Sequence, residues 1–503
     1  GRSNIKLIIC FDAKKPGLRN PGYRIHAMLV GQTAVNFAAN VISAVFGLIN
    51  VMVFTRLFAP AEFGTYVLGA GFAAIATSFM SNWLRLPIMR EQARGDGTDI
   101  RGILLPGLMW SCLVAPLAYV VAVLAGIGSG PALAAAGLAV AVGFFEVGQD
   151  LMRARLKAFS VMKATVVRAV LVSVFGIAVS IAGHTGVLLL MSSAVAYLLA
   201  ALAFAPGVWA GTVICHDRAR LFALAKAGIP FTASVTLYSL SSVIDRFIIA
   251  HLIGPGAAGQ FSAGADLVRQ ALIIPAISAA AAFCPLAVQI YAKHGREAVR
   301  SHLEECFEFL LAIVLPASVG FAVVSTPIAD VVLGPDFRTM AAAAMPIVSI
   351  AVIFQITTYQ YLHIGFLLSE RNSFYFWNTS LVLVVNLVVS YVLIERLGAV
   401  GAAWGRLVAE IFGFASALVL TRWAFPMPVP FMRLTRVLIA TIVMAIVVRS
   451  LELALHLSDK DALAVLLPSG MATYLIMCWL LNVAKGRDRL NRGLLIVRNA
   501  LAR

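Results

Sequence analysis

Four ionisable side chains stand where the sequence is otherwise most apolar. Asp245 and Arg246 lie ten and nine residues before Pro255, and Asp266 and Arg269 lie eleven and fourteen after it. In helical stretches rising 1.5 Å per residue, both acids fall roughly 15 Å from the turn, near the middle of a ~30 Å hydrocarbon layer. Ionisable groups at that depth cost at least ~2.5 kcal/mol each on insertion scales. Such groups survive as ion pairs that neutralise one another or as parts of a pathway or relay, and the pattern permits both. Arginine brings its own chemistry, because a guanidinium in a wet cavity matches a pyrophosphate with parallel hydrogen bonds. Asp245, beside Arg246, is the candidate gating or ion-coupling acid, with Asp266 as its companion and H⁺ or Na⁺ as the ion.

Uncharged polar residues extend the pattern. Gln32, Asn36, Asn40, Ser43, Gly47 and Asn50 fall within about 80° of arc at 100° per residue. Thr232, Thr236, Ser239, Ser242 and Arg246 share a second face about 120° wide, with Tyr238, Ser241 and Asp245 beside it. Amides facing lipid would go unsatisfied, so these faces meet protein or water. Helix–helix glue is one explanation, and a hydrated cavity, favoured by the length of the first stripe, is the other. Three weaker sets are Arg406 with Glu410, spaced to pair along one helix; Tyr359, Gln360, Tyr361 and His363, suited to stacking on sugar rings or to packing between helices; and Glu146 with Asp150, expected to pair with the basic cluster at Arg153 and Arg155. The six cysteines have no CxxC or Cys/His spacing, so no metal site is expected. Nor is there an HExxH, GxSxG or P-loop; a transporter rather than an enzyme is the expectation, with no cofactor beyond a coupling ion.

The elements that position these residues are apolar stretches of about 20 residues or more, the length a spanning helix needs. They fall at 27–55, 63–84, 104–126, 132–152, 164–183, 186–208, 228–253, 257–290, 303–326, 341–368, 374–394, 400–421, 435–455 and 463–483. The expected fold is an all-α integral membrane protein of about fourteen transmembrane helices. Counted with the N-terminus inside, 30 of the 39 Lys and Arg residues fall in inside segments, 4 in outside loops and 5 within spans. The positive-inside rule therefore places both termini in the cytoplasm. The net charge of +16 lies in short loops along the membrane and not on one basic face, which excludes a nucleic-acid partner. Residues 1–26 form a basic cytoplasmic segment too weakly apolar for a cleaved signal.

The outside loops are short, the longest running from about Pro327 to Met340, which leaves no room for a catalytic surface there. An internal repeat appears at a constant offset of 195 residues: RLFAPAEFGTYVLGA from Arg56 matches HLIGPGAAGQFSAGA from His251, aligning Leu57, Pro60, Gly64, Gly69 and Ala70 with Leu252, Pro255, Gly259, Gly264 and Ala265. Each turn opens a six-helix half with the same orientation, which implies a pseudo-two-fold axis along the membrane normal and suits alternating access. The expected organisation is a first lobe over 27–208, a cytoplasmic linker over 209–227 whose HDRARLFALAKA segment suits an interfacial helix, a second lobe over 228–422, two further helices over 435–484, and a cytoplasmic tail over 485–503. That tail places Leu490, Leu494, Val497 and Leu501 on one side.

The stretches FTRLFAPAEFGTYVL (Phe54–Leu68), IDRFIIAHLIGPGAAGQFSAGADLV (Ile244–Val268), VLGPDFR (Val332–Arg338) and RLGAVGAAWGRLVAE (Arg396–Glu410) resemble the polysaccharide-transport branch of the multidrug/oligosaccharidyl-lipid/polysaccharide exporter superfamily, the Wzx-type flippases. The resemblance implies two pseudo-symmetric six-helix lobes in a V around a cationic cavity, with two appended helices. It also implies translocation of undecaprenyl-pyrophosphate-linked oligosaccharide across the bacterial inner membrane, with membrane lipids and polysaccharide polymerase or assembly proteins as partners and a monomeric state. On this resemblance Arg246 and Arg269 would hold the head group, Asp245 would gate or couple, and the helix 1 stripe would line the sugar route. Lipid II flippases, and at greater distance drug/cation antiporters or a non-transporting assembly scaffold, are the alternatives.

The charge asymmetry makes the topology testable. Single cysteines at Gly128 and His456 should react with an impermeant thiol reagent from the outer side, and one at Asp217 should not; the opposite labelling would sink the fourteen-helix arrangement.

Overall fold

The computed structural model describes residues 21–94, 100–183, 185–215, 217–455 and 459–483. Among these residues the chain forms sixteen α-helices and no strand, as a layer without water demands, since a helix satisfies its backbone polar groups internally. The first half contains α1 (Pro21–Leu57), α2 (Pro60–Arg94), α3 (Arg101–Cys112), α4 (Ala115–Leu124), α5 (Ser129–Ala154), α6 (Ala158–Ala182) and α7 (Gly186–Trp209). The second contains α8 (Arg218–Leu252), α9 (Pro255–Val323), α10 (Ser325–Val332), α11 (Pro335–Thr357), α12 (His363–Leu368), α13 (Asn372–Leu397) and α14 (Val400–Ala424), followed by α15 (Phe431–Leu455) and α16 (Asp459–Leu480). Thirteen described helices are long and apolar enough to cross a membrane. The chain is a multi-pass membrane protein.

Several boundaries differ from the sequence expectation. The span at 104–126 is broken into α3 and α4, because Pro116 at the start of α4 has no amide hydrogen to continue the ladder. The spans at 257–290 and 303–326 are one 69-residue run, α9, bent at Gly295, whose φ of 76° suits glycine. Within it Leu286–Val323 is one of the spans found among the described residues. The long outside loop from Pro327 to Met340 is helical, made of α10 and the start of α11. The expected interfacial linker helix is no separate element either: α8 begins at Arg218, with Asp217 accepting from the Arg220 amide at 3.0 Å, and runs unbroken to Leu252. The span at 341–368 is interrupted by a π-helical turn over Thr358–Leu362. The proposed apolar side of the tail lies outside the described residues.

Within the first half α2 packs against α5 and α7; in the second, α9 packs against α11 and α13 against α14. Helix α15 lies on α9, and α16 lies on α15 and α10. The two halves meet through α2, which packs against both α8 and α9. At the end that the charge pattern assigns to the outside, the repeated turns face each other. A Cβ on Gly64 would lie 1.8 Å from the Pro255 carbonyl oxygen, and one on Gly259 would lie 2.4 Å from that of Pro60. Each glycine of the repeat thus sits on the other half's proline, the reciprocity that a two-fold relation requires. Arg56 adds hydrogen bonds to the carbonyls of Val331 (2.6 Å) and Val332 (3.0 Å), and the Gly334 amide donates to Thr55 Oγ1 at 3.1 Å. Farther along, the hydroxyls of Ser78 and Ser239 are 2.7 Å apart, and Gly228 lies on the backbone of Trp83. Helices α2 and α8 are therefore closed together along their length.

The seam excludes a side chain at Gly64 and Gly259 and admits one at Gly256. A Cβ at Gly256 would lie 3.8 Å from the Ala61 Cα, so cysteines at positions 61 and 256 are within disulfide reach. The Ala61→Cys/Gly256→Cys pair should cross-link on mild oxidation, and adding Gly64→Val should reduce the yield several-fold; absence of cross-linking in the first pair would show that this seam does not form in the membrane.

Candidate functional site

Six charged side chains from three helices of the second half converge on one region. Helix α8 supplies Asp245 and Arg246, α9 supplies Asp266 and Arg269, and α14 supplies Arg406 and Glu410. Small residues allow the approach. A Cβ on Gly401 would lie 2.2 Å from the Leu393 carbonyl oxygen, and one on Gly405 2.1 Å from Ser390 Oγ, so α13 and α14 touch backbone to backbone in the manner of small-residue membrane interfaces. This brings Arg406 beside α8 and places Asn386 of α13 opposite Asp245.

The charges are partnered unequally. Arg246 is ion-paired to Asp266. Asp245, 6% exposed, accepts from Asn386 Nδ2 at 2.7 Å through Oδ1 and faces Arg406 Nη1 at 3.5 Å through Oδ2. Ser390 in turn donates to Asn386 Oδ1 at 2.9 Å. Arg406 also pairs with Glu410 Oε1, at 3.3 Å from its Nε, and donates to the Ser241 carbonyl. Arg269 differs: among the described residues its one hydrogen bond goes to the Ser242 carbonyl, at 2.7 Å, and it has no ion pair. Glu410 is only 1% exposed, and among the described residues its Oε2 has no hydrogen-bond partner. Gln355 Nε2 is likewise buried and unpartnered.

Ser242, Asp245, Arg246, Arg269, Gln355 and Arg406 line a cavity of about 20 Å³. A water needs ~10–15 Å³, so in this conformation the space takes a water or a small ion and excludes a pyrophosphate. Both head-group candidates from the sequence therefore border a space too small for a pyrophosphate.

The other sequence candidates divide. Of the helix 1 stripe, the side chains of Gln32 and Asn36 lie outside the description, Asn40 is exposed, and Asn50 is half-buried with its Oδ1 unpartnered. Ser43 accepts from Arg168 Nη2 at 2.6 Å, and a Cβ on Gly47 would meet Gln270 Oε1 at 2.1 Å. These two positions of the stripe meet α6 and α9. On α8, Thr232 bonds back to the Gly228 carbonyl (3.0 Å), Ser242 to that of Ser239 (2.7 Å), and Thr236 Oγ1 has no partner. The aromatic set is packed between helices: Tyr361 is buried with its hydroxyl donating to the Pro428 carbonyl, Tyr359 lies 4.8 Å from the Tyr238 ring, and His363 Nε2 is 2.9 Å from Asn378 Oδ1. Glu146 and Asp150 were expected to pair with Arg153 and Arg155; their shared partner is Arg85 of α2, which packs across from α5, and Asp150 also binds Arg153 at 2.9 Å.

Sequence reasoning missed Asn386, Gln355 and Arg168. Asn386 interrupts an apolar run, VVNLVV, and the cost of burying an amide in hydrocarbon was the available signal. Arg168 stood recognised within a span but without a role; its guanidinium donates to Tyr197 Oη at 2.8 Å and lies 5.2 Å from that ring's centroid.

Comparison with known proteins places this geometry. Among solved structures, the lipid II flippase MurJ in an inward closed conformation superposes with a TM-score of 0.73 at 14% identity, over 91% of this chain and 100% of that one. An inward-facing multidrug resistance MATE family transporter of the MOP superfamily gives 0.61 at 15% identity, over 78% and 98%. These likenesses establish a shared fold. No curated protein sequence matches significantly. Residues 29–291 match the family described as Polysaccharide biosynthesis protein, and this covers more than half of the chain: with its membrane helices, repeated halves and intramembrane arginines, the protein belongs to that polysaccharide biosynthesis family.

Proposed function

We propose that this protein is a flippase that carries undecaprenyl-pyrophosphate-linked oligosaccharide from the cytoplasmic to the periplasmic leaflet of the bacterial inner membrane, by alternating access, for polysaccharide biosynthesis. The observation that carries the proposal is Arg269, a guanidinium inside the membrane without a carboxylate partner, flanked by Arg246 and Arg406 across a small cavity. A guanidinium held by no ion pair is costly at that depth, and an arriving anion offsets the cost. A pyrophosphate is the anion that a guanidinium fork binds best. The cavity holds no such group while the halves are closed, and the neighbouring residue Gln270 sits against α1 at Gly47. Separation of the halves beside α9 gives Arg269 access to the space between them, which is what alternating access requires. Membrane lipids and polysaccharide assembly proteins are the expected partners, and the protein acts as a monomer. Lipid II presents the same pyrophosphate, so it is the alternative cargo; the polysaccharide family favours a repeat unit.

Loss of a charge-assisted hydrogen bond removes about 1.5–3 kcal/mol, or roughly 10- to 100-fold in affinity. Arg269→Ala should therefore cause lipid-linked repeat units to accumulate in the inner leaflet and should cut polymer output by about tenfold or more at unchanged protein level in the membrane. Arg269→Lys should retain part of the activity. Normal output from Arg269→Ala would assign the residue to packing, and flipping of lipid II but not of the repeat unit by the wild type would change the cargo.

A further inference from the structure

Among the described residues Arg269 is the one guanidinium of the charge cluster without an ion pair and Glu410 the one carboxyl with a buried, unpartnered oxygen, and the two charges compensate each other. The region holds three carboxyl groups, Asp245, Asp266 and Glu410, and three guanidinium groups, Arg246, Arg269 and Arg406. Arg246 is taken by Asp266. Asp245 and Glu410 both lean on Arg406, at 3.5 and 3.3 Å. One guanidinium neutralises one of them, and the charge left to balance the second is that of Arg269, whose field reaches Glu410 together with those of Arg406 and Asp245. The remaining groups that face this corner do not supply a positive charge: Tyr359 of the π turn and Tyr238 of α8 are phenols, Gln355 of α11 and Asn386 of α13 are amides, and His363 of α12 is turned to Asn378.

We infer that Glu410 is a proton-binding site linked to the cargo site, taking up one proton when an anionic phosphate engages Arg269. The inference rests on the head-group role proposed for Arg269. Once the phosphate neutralises that arginine, Asp245 and Glu410 remain as two carboxylates on one guanidinium in a medium of low dielectric, where like charges that close do not both stay ionised. The proton goes to Glu410 and not to Asp245 because of their partners. Both Asp245 oxygens face donors, Asn386 Nδ2 and Arg406 Nη1, which hold it as an anion. Glu410 Oε2 faces none, so a proton there breaks no hydrogen bond. The proton comes from water, Glu410 becomes a neutral acid, and its Oε1 loosens its hold on Arg406. Release of the phosphate reverses each step. Cargo charge and a proton thus enter the site together.

The sign follows directly. If binding takes up a proton, affinity is highest at low pH and falls as pH rises, by up to about tenfold per unit. The test uses the full-length protein in detergent with farnesyl pyrophosphate as the probe, between pH 7 and 9, above the ~6 at which a phosphate's own second ionisation falls. Wild type should take up about one proton per probe bound, read with a pH indicator in weak buffer, and its affinity should fall across the range. Glu410→Gln should bind the probe with no uptake and with a flat pH dependence. Wild-type binding without uptake, or uptake undiminished in Glu410→Gln, would overturn the linkage while leaving the head-group role intact. If Glu410→Gln is lost from the membrane, the wild-type stoichiometry alone decides. Failure of the wild type to bind the probe would overturn the head-group role, and the linkage with it.

Discussion

A charge in hydrocarbon has no water to fall back on, and nearly everything specific in this structure follows from how the chain meets that condition. Arg246 is answered by Asp266, and Arg406 by Asp245, Glu410 and a backbone carbonyl. Arg168 is answered by two hydroxyls and the face of Tyr197. Removing one partner of a buried pair costs about 3–5 kcal/mol, so these pairings fix the relative positions of α8, α9 and α14 more firmly than apolar packing does, because lipid is as apolar as the side chains it would replace.

Close helix packing is the means by which the charges reach one another. Gly401 and Gly405 bring α14 onto α13, and Gly264 brings α9 onto α11 at Ala341. The stretch RLGAVGAAWGRLVAE carries both halves of the device, glycines for the approach and Arg406 with Glu410 for the chemistry. Trp404 and Phe412 of the same helix, well away from Arg406 and Glu410 around its axis, are exposed, as lipid-facing side chains would be.

Much of this was legible in the sequence, for reasons that also explain the rest. Helix positions and the depth of Asp245, Arg246, Asp266 and Arg269 follow from hydropathy and rise per residue, which are local properties. Which acid meets which arginine is not local. Two ion pairs within one hairpin was one of the two readings left open, and of these only Arg246–Asp266 forms there; Asp245 turns to Arg406, 161 residues away, because the glycines of α14 put that helix within reach. The spacing of Arg406 and Glu410 did foretell their pairing, and spacing alone could not reveal that Asp245 shares the same guanidinium. Sequence divided α9 in two since its basic middle resembles a loop, whereas the chain only bends there at Gly295. The aromatic cluster was ambiguous for a different reason: a ring suited to stacking on a sugar is equally suited to stacking on another ring, and Tyr359 has Tyr238 for company.

The positions of the strong and weak partners along α9 bear on how such a protein can both hold and release an anion. Gly259, at the seam, is ten residues before Arg269, about 15 Å along the helix, and Gln270 follows immediately at the contact with α1. Of the three guanidinium groups in the cluster, the one without an ion pair among the described residues is therefore next in sequence to a contact between the halves. The fully paired Arg406 lies deeper in the second half, where α8, α13 and α14 surround it. An arginine bound to a carboxylate would have to break that pair before it could take a phosphate, adding the cost of an exposed acid to each cycle. One held only by a carbonyl can exchange that single bond for cargo and recover it afterwards. Within the cluster the division is thus between two paired guanidinium groups, Arg246 and Arg406, and one, Arg269, held by a carbonyl, and the proposed head-group role falls to the last.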